Sequence, residues 1–210
     1  VSRSGRTILF VSHNMAAVEA LCISAILLQK GLIHYAGTVS GALARYLTPA
    51  NISKTHGRGV WTDNTGSGLI TQIRLLNEAG VPTDTIAAGK PMTFEISFRS
   101  SKPVGALTMR IVITTDMGVR VCNFNSRIES NQLFDVDRHR RVRCSVPEQR
   151  LGVGGYFVAV HAFSGSRQVC GVDPAMRFYV APSDLFATGR LPSQGKAVYL
   201  PRTVWTGLDW

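Results

Sequence analysis

The residue of this 210-residue sequence with the most definite chemistry is His13. The run 6–12 before it is short and apolar, which predicts a buried strand, and residues 14–22 predict an amphipathic helix. His13 would then lie at the carboxyl end of a buried strand, where open α/β sheets place ligand contacts. An imidazole there can hydrogen-bond a terminal phosphate, although a lone histidine at a strand end is more often structural.

Other catalytic arrangements cannot be located in the sequence. A glycan-cleaving enzyme generally needs two carboxylates that flank a cleft, yet only Glu95 lies well inside a predicted strand. No Ser-His-Asp or Cys-His arrangement can be assembled. The cysteines show neither CxxC spacing nor a histidine at ligand spacing, so no metal site is predicted and reduced cytosolic thiols are expected. They are Cys22, Cys122, Cys144 and Cys170.

The composition is that of a globular protein with a basic balance. Apolar residues make up 45%, charged residues 17%, and the formal net charge is +10. The dense basic run 138–143 is typical of a solvated loop and strand edge, although an anionic ligand is the alternative. No predicted helix carries a basic stripe with interleaved aromatic residues, so nucleic acid is not an expected partner. No apolar run has the length of a membrane span.

The first 48 residues have the character of an α/β segment. Residues 25–29 predict a strand that turns at Lys30-Gly31 into a second strand over 32–35. Thr38 or Ser40 would cap a helix that runs to about Leu47. The polar stretch that follows predicts a linker over 49–60. The sequence therefore predicts a short α/β tail over 1–48, a linker, and a separate domain over 61–210.

Beyond the linker the hydrophobic period changes to two. Seven short strands without intervening helices predict a mainly β fold, an antiparallel sandwich of immunoglobulin type. Tyr156, at the start of the sixth strand, has the lead-in typical of a tyrosine corner. The predicted strands cover 69–76, 92–98, 107–113, 119–124, 142–146, 156–162 and 176–180.

The string 7–15, Thr-Ile-Leu-Phe-Val-Ser-His-Asn-Met, followed by the hairpin 25–31, resembles the switch-histidine region of ABC-type ATPases. The resemblance is closest to the Wzt family, the ATPase subunits of O-antigen and related polysaccharide exporters. His13 matches the switch histidine of that family. The sequence departs from the family pattern at Ile23-Ser24 and Gln29, where Asp-Arg and Asp are usual.

This resemblance implies a parent protein that uses ATP and magnesium. The present sequence has no GxxxxGK[ST] loop, no LSGGQ-like signature and no acidic Walker B strand. It is therefore expected to be no enzyme on its own and to hold no cofactor, and His13 would act only in the parent. The first residue is Val1 rather than Met, which is expected of a fragment of a longer chain.

For the predicted domain over residues 61–210, the resemblance to the Wzt family rests on residues 116–121 and 151–160. It implies that this domain binds carbohydrate. Such a domain would recognise the finished O-polysaccharide in the cytoplasm, couple it to export, and serve lipopolysaccharide biosynthesis. The implied partners are a second copy of the chain and the transmembrane permease subunit. The protein would be cytoplasmic and peripheral on the inner membrane. The alternative is a structural dimerisation module without a ligand of its own.

Strand alternation predicts which side chains face away from the core. Planar rings together with directional donors and acceptors are what sugar binding needs. The same side chains could instead be plain surface or lie at a dimer interface. The C-terminal segment 183–210 could complete its own sheet or be exchanged between protomers. The predicted carbohydrate-binding residues are Arg110, Thr114, Arg120, His161, Phe163, Arg177 and Tyr179.

Overall fold

The computed structural model describes residues 7–11, 18–19, 21–29, 31–46, 59–192, 197–201 and 203. The part of the chain that it describes is mostly β-strand, which confirms the predicted fold class. No helix in these ranges is both long and apolar enough to span a bilayer. The elements, in chain order, are β1 Ser24–Gln29, β2 Leu32–Thr38, α1 Val39–Tyr46, β3 Val60–Thr62, β4 Ile70–Leu76, β5 Thr85–Ala87, β6 Met92–Arg99, β7 Val104–Thr115, β8 Arg120–Asn125, α2 Ser126–Ser130, β9 Phe134–Val136, β10 His139–Val146, β11 Gly154–Ser164 and β12 Arg167–Ala181.

Two sheets form the sandwich. The smaller has the order β10-β6-β4-β3, and the larger has the order β5-β12-β11-β7-β8, with β9 also pairing with β7. All pairs are antiparallel except the parallel pair β12–β5. One apolar core lies between the sheets and takes alternate residues from the long strands, as the period of two predicts. Fully buried members from both sheets include Phe94, Ile96, Ile113, Val160 and Phe178.

The tyrosine corner predicted at Tyr156 is present. Its buried hydroxyl donates to the backbone oxygen of Gly152 at 2.7 Å, and its ring stacks on that of Phe178 at 5.5 Å. Gly152 also lies against a C-terminal segment of the same chain, because its amide donates to Val198 and Leu151 forms an isolated bridge with Tyr199. Residues 197–201 thus pair with their own sandwich in the single chain, and whether they exchange in a dimer stays a prediction.

The N-terminal part forms the predicted hairpin and helix. β1 pairs with β2, and Thr38 accepts from the amide of Gly41 at 3.2 Å, which makes it the cap of α1. Val39 and Leu43 of α1 form a small cluster that also includes Met117 from the turn between β7 and β8.

The prediction of a strand over residues 6–12 is wrong for the part of this run that the structure describes. Residues 7–11 form no strand, and Leu9 is 88% and Val11 96% exposed. No described segment pairs with this run, so its backbone lacks the partners that a buried strand requires. His13, most of the helix 14–22 and most of the linker 49–60 lie outside the described residues.

Glu95 is an acidic residue that is only 1% exposed. It is the one acidic side chain among the buried polar residues of the described ranges. It lies on β6, on the outer face of the smaller sheet. Arg74 Nη1 approaches its Oε1 at 3.0 Å, Arg143 Nε its Oε2 at 2.8 Å, and Arg141 Nε its Oε1 at 3.7 Å. Burial is the largest single effect and opposes ionisation. The hydrogen bond from Arg143 and the charges of Arg141, Arg143 and Arg74 together nevertheless hold the pKa of Glu95 below its ordinary value.

The depressed pKa of Glu95 predicts a loss of stability in acid. The unfolded carboxyl titrates near 4.5 and the folded one lower, so the contribution is complete above 4.5 and disappears as pH falls through the folded-state pKa. Urea-unfolding midpoints should therefore decline below that value. Glu95→Gln should be less stable at neutral pH and show a flatter decline, whereas the exposed control Glu78→Gln should keep the wild-type slope. A wild-type slope in Glu95→Gln would contradict this account.

Candidate functional site

All seven predicted binding residues lie on one face of the larger sheet. The strand registers pair His161 with Arg110, Thr114 with Arg120, and Phe157 with both Thr114 and Arg177. Since side chains two residues apart point to the same side, this set faces away from the core. We call this surface the outer face. Whether its residues bind a ligand stays a prediction.

The first group on the outer face is built around Arg110. Its guanidinium carbon lies 4.6 Å from the centroid of the Phe163 ring, a cation–π contact. The His161 ring centroid is 6.4 Å from that of Phe163. Two buried nitrogens in this group, Arg110 Nε and His161 Nδ1, have no hydrogen-bond partner. A buried donor left unpaired is costly, so these two nitrogens mark a polar spot beneath the surface of this group.

Two neighbours that the sequence analysis missed complete this group. Gly171 pairs with His161, and Gln168 pairs with Phe163. A Cβ at Gly171 would lie 2.6 Å from His161 Nδ1 and 2.7 Å from Gln168 Nε2, so the absence of a side chain there makes room for the imidazole. A glycine inside a strand often marks such a close approach, but the sequence analysis places no strand over Gly171, so this signal could not be used.

The second group lies about 13 Å away, four residues along β7. It contains Thr114, Arg120, Arg177 and Tyr179. Asp116 holds Arg177 through two bonds, from Nε to Oδ1 at 3.1 Å and from Nη2 to Oδ2 at 2.5 Å. The bond to Asp116 raises the pKa of Arg177 above its ordinary value. Both arginines are exposed, but Arg177 is a paired, oriented cation, whereas Arg120 has no ion-pair partner among the described residues.

An apolar floor separates the two groups. Val112 and Ala159 form a cross-strand pair on the outer face, and each is only 8% exposed. Phe157 beside them is 9% exposed, so little of its ring is available to a ligand. The outer face thus presents two polar groups on either side of a low apolar surface. Such a face can stack against a sugar ring and hydrogen-bond its substituents.

A second candidate location is a cavity of about 220 Å³ near β8, α2 and β10. Its lining residues include Phe124, Phe134 and Cys144, together with the charged Glu129 and Arg143. Burial raises the pKa of the Cys144 thiol to about 11, which keeps it protonated and weakly nucleophilic near neutral pH. The cavity therefore offers shape and apolar contact rather than reactive groups.

Metal binding receives no support within the described ranges, where no three His, Cys, Asp or Glu side chains come together in a cluster. The cysteines described are all free thiols. Cys170 resembles Cys144, since burial raises its pKa to about 11 as well.

The part of the chain that contains the sandwich matches a known domain family. The family model described as the Wzt C-terminal domain matches residues 62–191. Among solved structures, the crystal structure of the C-terminal domain of Wzt is similar at a TM-score of 0.52 and 16% identity, covering 72% of this chain and 86% of that one. No curated protein matches the chain.

Two other solved structures are similar at a lower level. One is the CARDB domain of a Pyrococcus furiosus protein, at 14% identity, covering 52% of this chain and 90% of that one. The other is the alkylpurine DNA glycosylase AlkC of Pseudomonas fluorescens, at 12% identity, covering 59% and 31%. Both have a TM-score of 0.31, which carries no inference about fold or function.

Gly171→Ala should displace the His161 ring while leaving the sandwich folded. The added Cβ would clash with side-chain atoms, which can move, rather than with backbone. Imidazole proton shifts of His161 should change, and the unfolding midpoint should change little. Gly105→Ala is the matched control, because its Cβ would meet only Asp135 Oδ1 at 3.2 Å. An unchanged His161 spectrum in Gly171→Ala would show that the glycine does not position the ring.

Proposed function

The chain belongs to the Wzt C-terminal domain family and so has its role in an ABC transporter of the O-antigen type; from this premise we propose that its sandwich binds the transported polysaccharide on the outer face of the larger sheet. The observation that carries the proposal is the group of Arg110, His161 and Phe163, which the strand register brings together.

The chemistry of this group suits a carbohydrate. A sugar presents apolar C–H faces to an aromatic ring and hydroxyls to directional donors and acceptors. Phe163 supplies the ring, and the guanidinium of Arg110 and the imidazole of His161 supply polar groups beside it. The apolar floor at Val112 and Ala159 would let an extended chain continue towards Arg177 and Tyr179.

The remaining parts of the proposal follow from the family. The sandwich would hold the finished glycan in the cytoplasm, at the inner membrane, while the permease subunit provides the path across it. A second copy of the chain would present a second outer face. ATP and magnesium would be bound by the nucleotide-binding domain of the full-length protein, with His13 as its switch histidine. In this proposal the sandwich contributes recognition and no chemical step.

A binding experiment tests this proposal. Phe163→Ala and His161→Ala should each weaken retention of the transporter's own polysaccharide by about tenfold or more, equivalent to about 1.4 kcal/mol, because each removes a direct contact. Retention can be measured by affinity electrophoresis through a gel that contains the glycan. Phe186→Ala is the matched control, since Phe186 is an exposed aromatic residue outside the outer face.

Two outcomes would contradict the proposal. Full retention by both outer-face variants would place the binding site elsewhere, with the cavity near α2 as the next candidate. No retention of the matching glycan by the wild-type dimer would leave the structural dimerisation module as the better account.

A further inference from the structure

The basic run 138–143 falls largely on β10, an outermost strand of the smaller sheet. Within the described ranges, β10 is hydrogen-bonded to β6 and to no other strand. Of the four strands that end the two sheets it is the longest, with eight residues against six in β8 and three each in β3 and β5. Its register with β6 is unbroken from His139 to Val146, without a bulge or a proline. We call the open side of this strand the β10 edge, and an edge of this regularity is a template for a further strand.

The backbone groups at the β10 edge belong to alternate residues. The amide of Ser100 donates to the backbone oxygen of Arg138 at 2.9 Å. Because hydrogen-bonded pairs alternate along an antiparallel ladder, this bond fixes the phase of the whole strand. Val142 therefore directs its amide and carbonyl groups towards β6, whereas Arg141 and Arg143 direct theirs away from β6. The residues whose backbone can receive a new strand are thus two of the residues that carry the positive charge.

The charge on this side of the smaller sheet selects the kind of strand that fits. The side chains of Arg141, Arg143 and Arg74 share the one carboxylate of Glu95, so positive charge remains in excess. Arg141 and Arg143 are 61% and 62% exposed along their side chains and stay accessible to a further carboxylate. Opposite charges on neighbouring strands attract and like charges repel. A second copy of β10 would set arginine against arginine, whereas an acidic strand would be attracted.

The inner side of the same edge offers apolar contact. The cavity of about 220 Å³ is lined by residues of β10 and β8, the outermost strands of the two sheets on this side of the sandwich. Its lining residues Phe124, Phe134 and Cys144 pack against the core but are only partly buried. The core is therefore incompletely covered beside β10, and apolar side chains from an added strand would gain by covering it.

We propose that the β10 edge docks an extended segment of a partner protein in which acidic residues alternate with apolar ones. The segment would pair with the backbone of Arg141 and Arg143, a mode of recognition known as β-strand addition. Since successive side chains of a strand point to opposite faces, its acidic residues would meet the two arginines while its apolar residues lie over the cavity. This edge lies on the smaller sheet, so the proposal adds a second interaction surface to the outer face and does not depend on glycan binding.

Synthetic peptides test the β10 edge on the 210-residue chain. The probe is a capped peptide of the length of β10 in which Glu and Val alternate. One control has the same composition with all Glu residues before all Val residues, and another alternates Lys and Val. In an NMR titration the Glu-Val probe should cause saturable amide shifts along β10. Both controls should bind at least about tenfold more weakly, because the first separates the charges from the arginines and the second repels them.

Hydrogen exchange distinguishes strand pairing from attraction by charge alone. In the free chain the amides of Arg141 and Arg143 should exchange rapidly and that of Val142 slowly, because only Val142 donates to β6. The bound Glu-Val probe should slow exchange at Arg141 and Arg143 by about tenfold or more. Vesicles of anionic phospholipid are the comparison, since a lipid surface can attract the arginines but gives their amides no partner.

Arginine variants assign the binding to this strand. Arg141→Gln should weaken binding of the Glu-Val probe about threefold, and Arg143→Gln should do the same, because each removes one cross-strand charge pair. Arg141→Gln disturbs the fold least, since its contact with Glu95 is the longest of the three at 3.7 Å. Arg167→Gln removes an exposed arginine from the larger sheet and should bind as wild type. Unfolding midpoints close to wild type show that each variant is folded.

Three results would overturn the proposal. The first is no saturable shift on β10 with the Glu-Val probe, and the second is binding that leaves exchange at Arg141 and Arg143 unchanged. The third is equal binding of the probe, its block control and the vesicles, which would make the run a general polyanion surface. The elution volume of Arg141→Gln should match that of wild type. A change in it would show that the β10 edge joins two copies of the chain instead.

Discussion

Burial of alternate side chains from β7, β11 and β12 fixes the geometry of the outer face. Ile111, Val160 and Phe178 lie in the core between the sheets at 0–2% exposure. A slip of one residue in β7 would carry Arg110 into the core and expose Ile111, at a cost of a few kcal/mol for that residue alone. The juxtaposition of Arg110, His161 and Gly171 therefore follows from core packing and needs no attraction among those three residues. A site placed in this way can keep unpaired polar groups without losing its shape.

Charged side chains on the solvent-facing sides of the two sheets are paired in different ways. On the smaller sheet, Glu95 is surrounded by three arginines and both of its oxygens are engaged. The single carboxylate is shared by all three guanidinium groups, so its charge is fully engaged while the cluster keeps a net positive charge. On the larger sheet, Asp116 pairs with Arg177, whereas Arg110 contacts the Phe163 ring and no carboxylate of the described ranges lies within ion-pair distance of it. The larger sheet thus carries a half-buried guanidinium that has no ion-pair partner among the described residues.

Much of the fold could be predicted from the sequence, because long strands that are buried on one side leave a period of two. That period also placed the seven predicted residues on one face. The first half of β12 was missed because Gly171 and Pro174 interrupt its apolar alternation. As a result, the sequence analysis did not identify Gln168 and Gly171 as neighbours of His161. The short strands β3, β5 and β9 have too few residues to show a period. The run 6–12 was predicted as a strand from its short apolar pattern, but strand formation also requires a neighbouring strand, and residues 7–11 have none among the described segments.

The central claim is that the outer face of the larger sheet is the glycan-binding surface, and backbone amide shifts in a heteronuclear NMR titration test it most directly. Addition of the matching polysaccharide should produce saturable shifts that concentrate on β7, β11 and β12 around Arg110, Phe163 and Gly171, with none from an unrelated glycan. Shifts confined to the cavity lined by Phe124, Glu129 and Cys144, or to the outer side of the smaller sheet around Glu95, would contradict the claim.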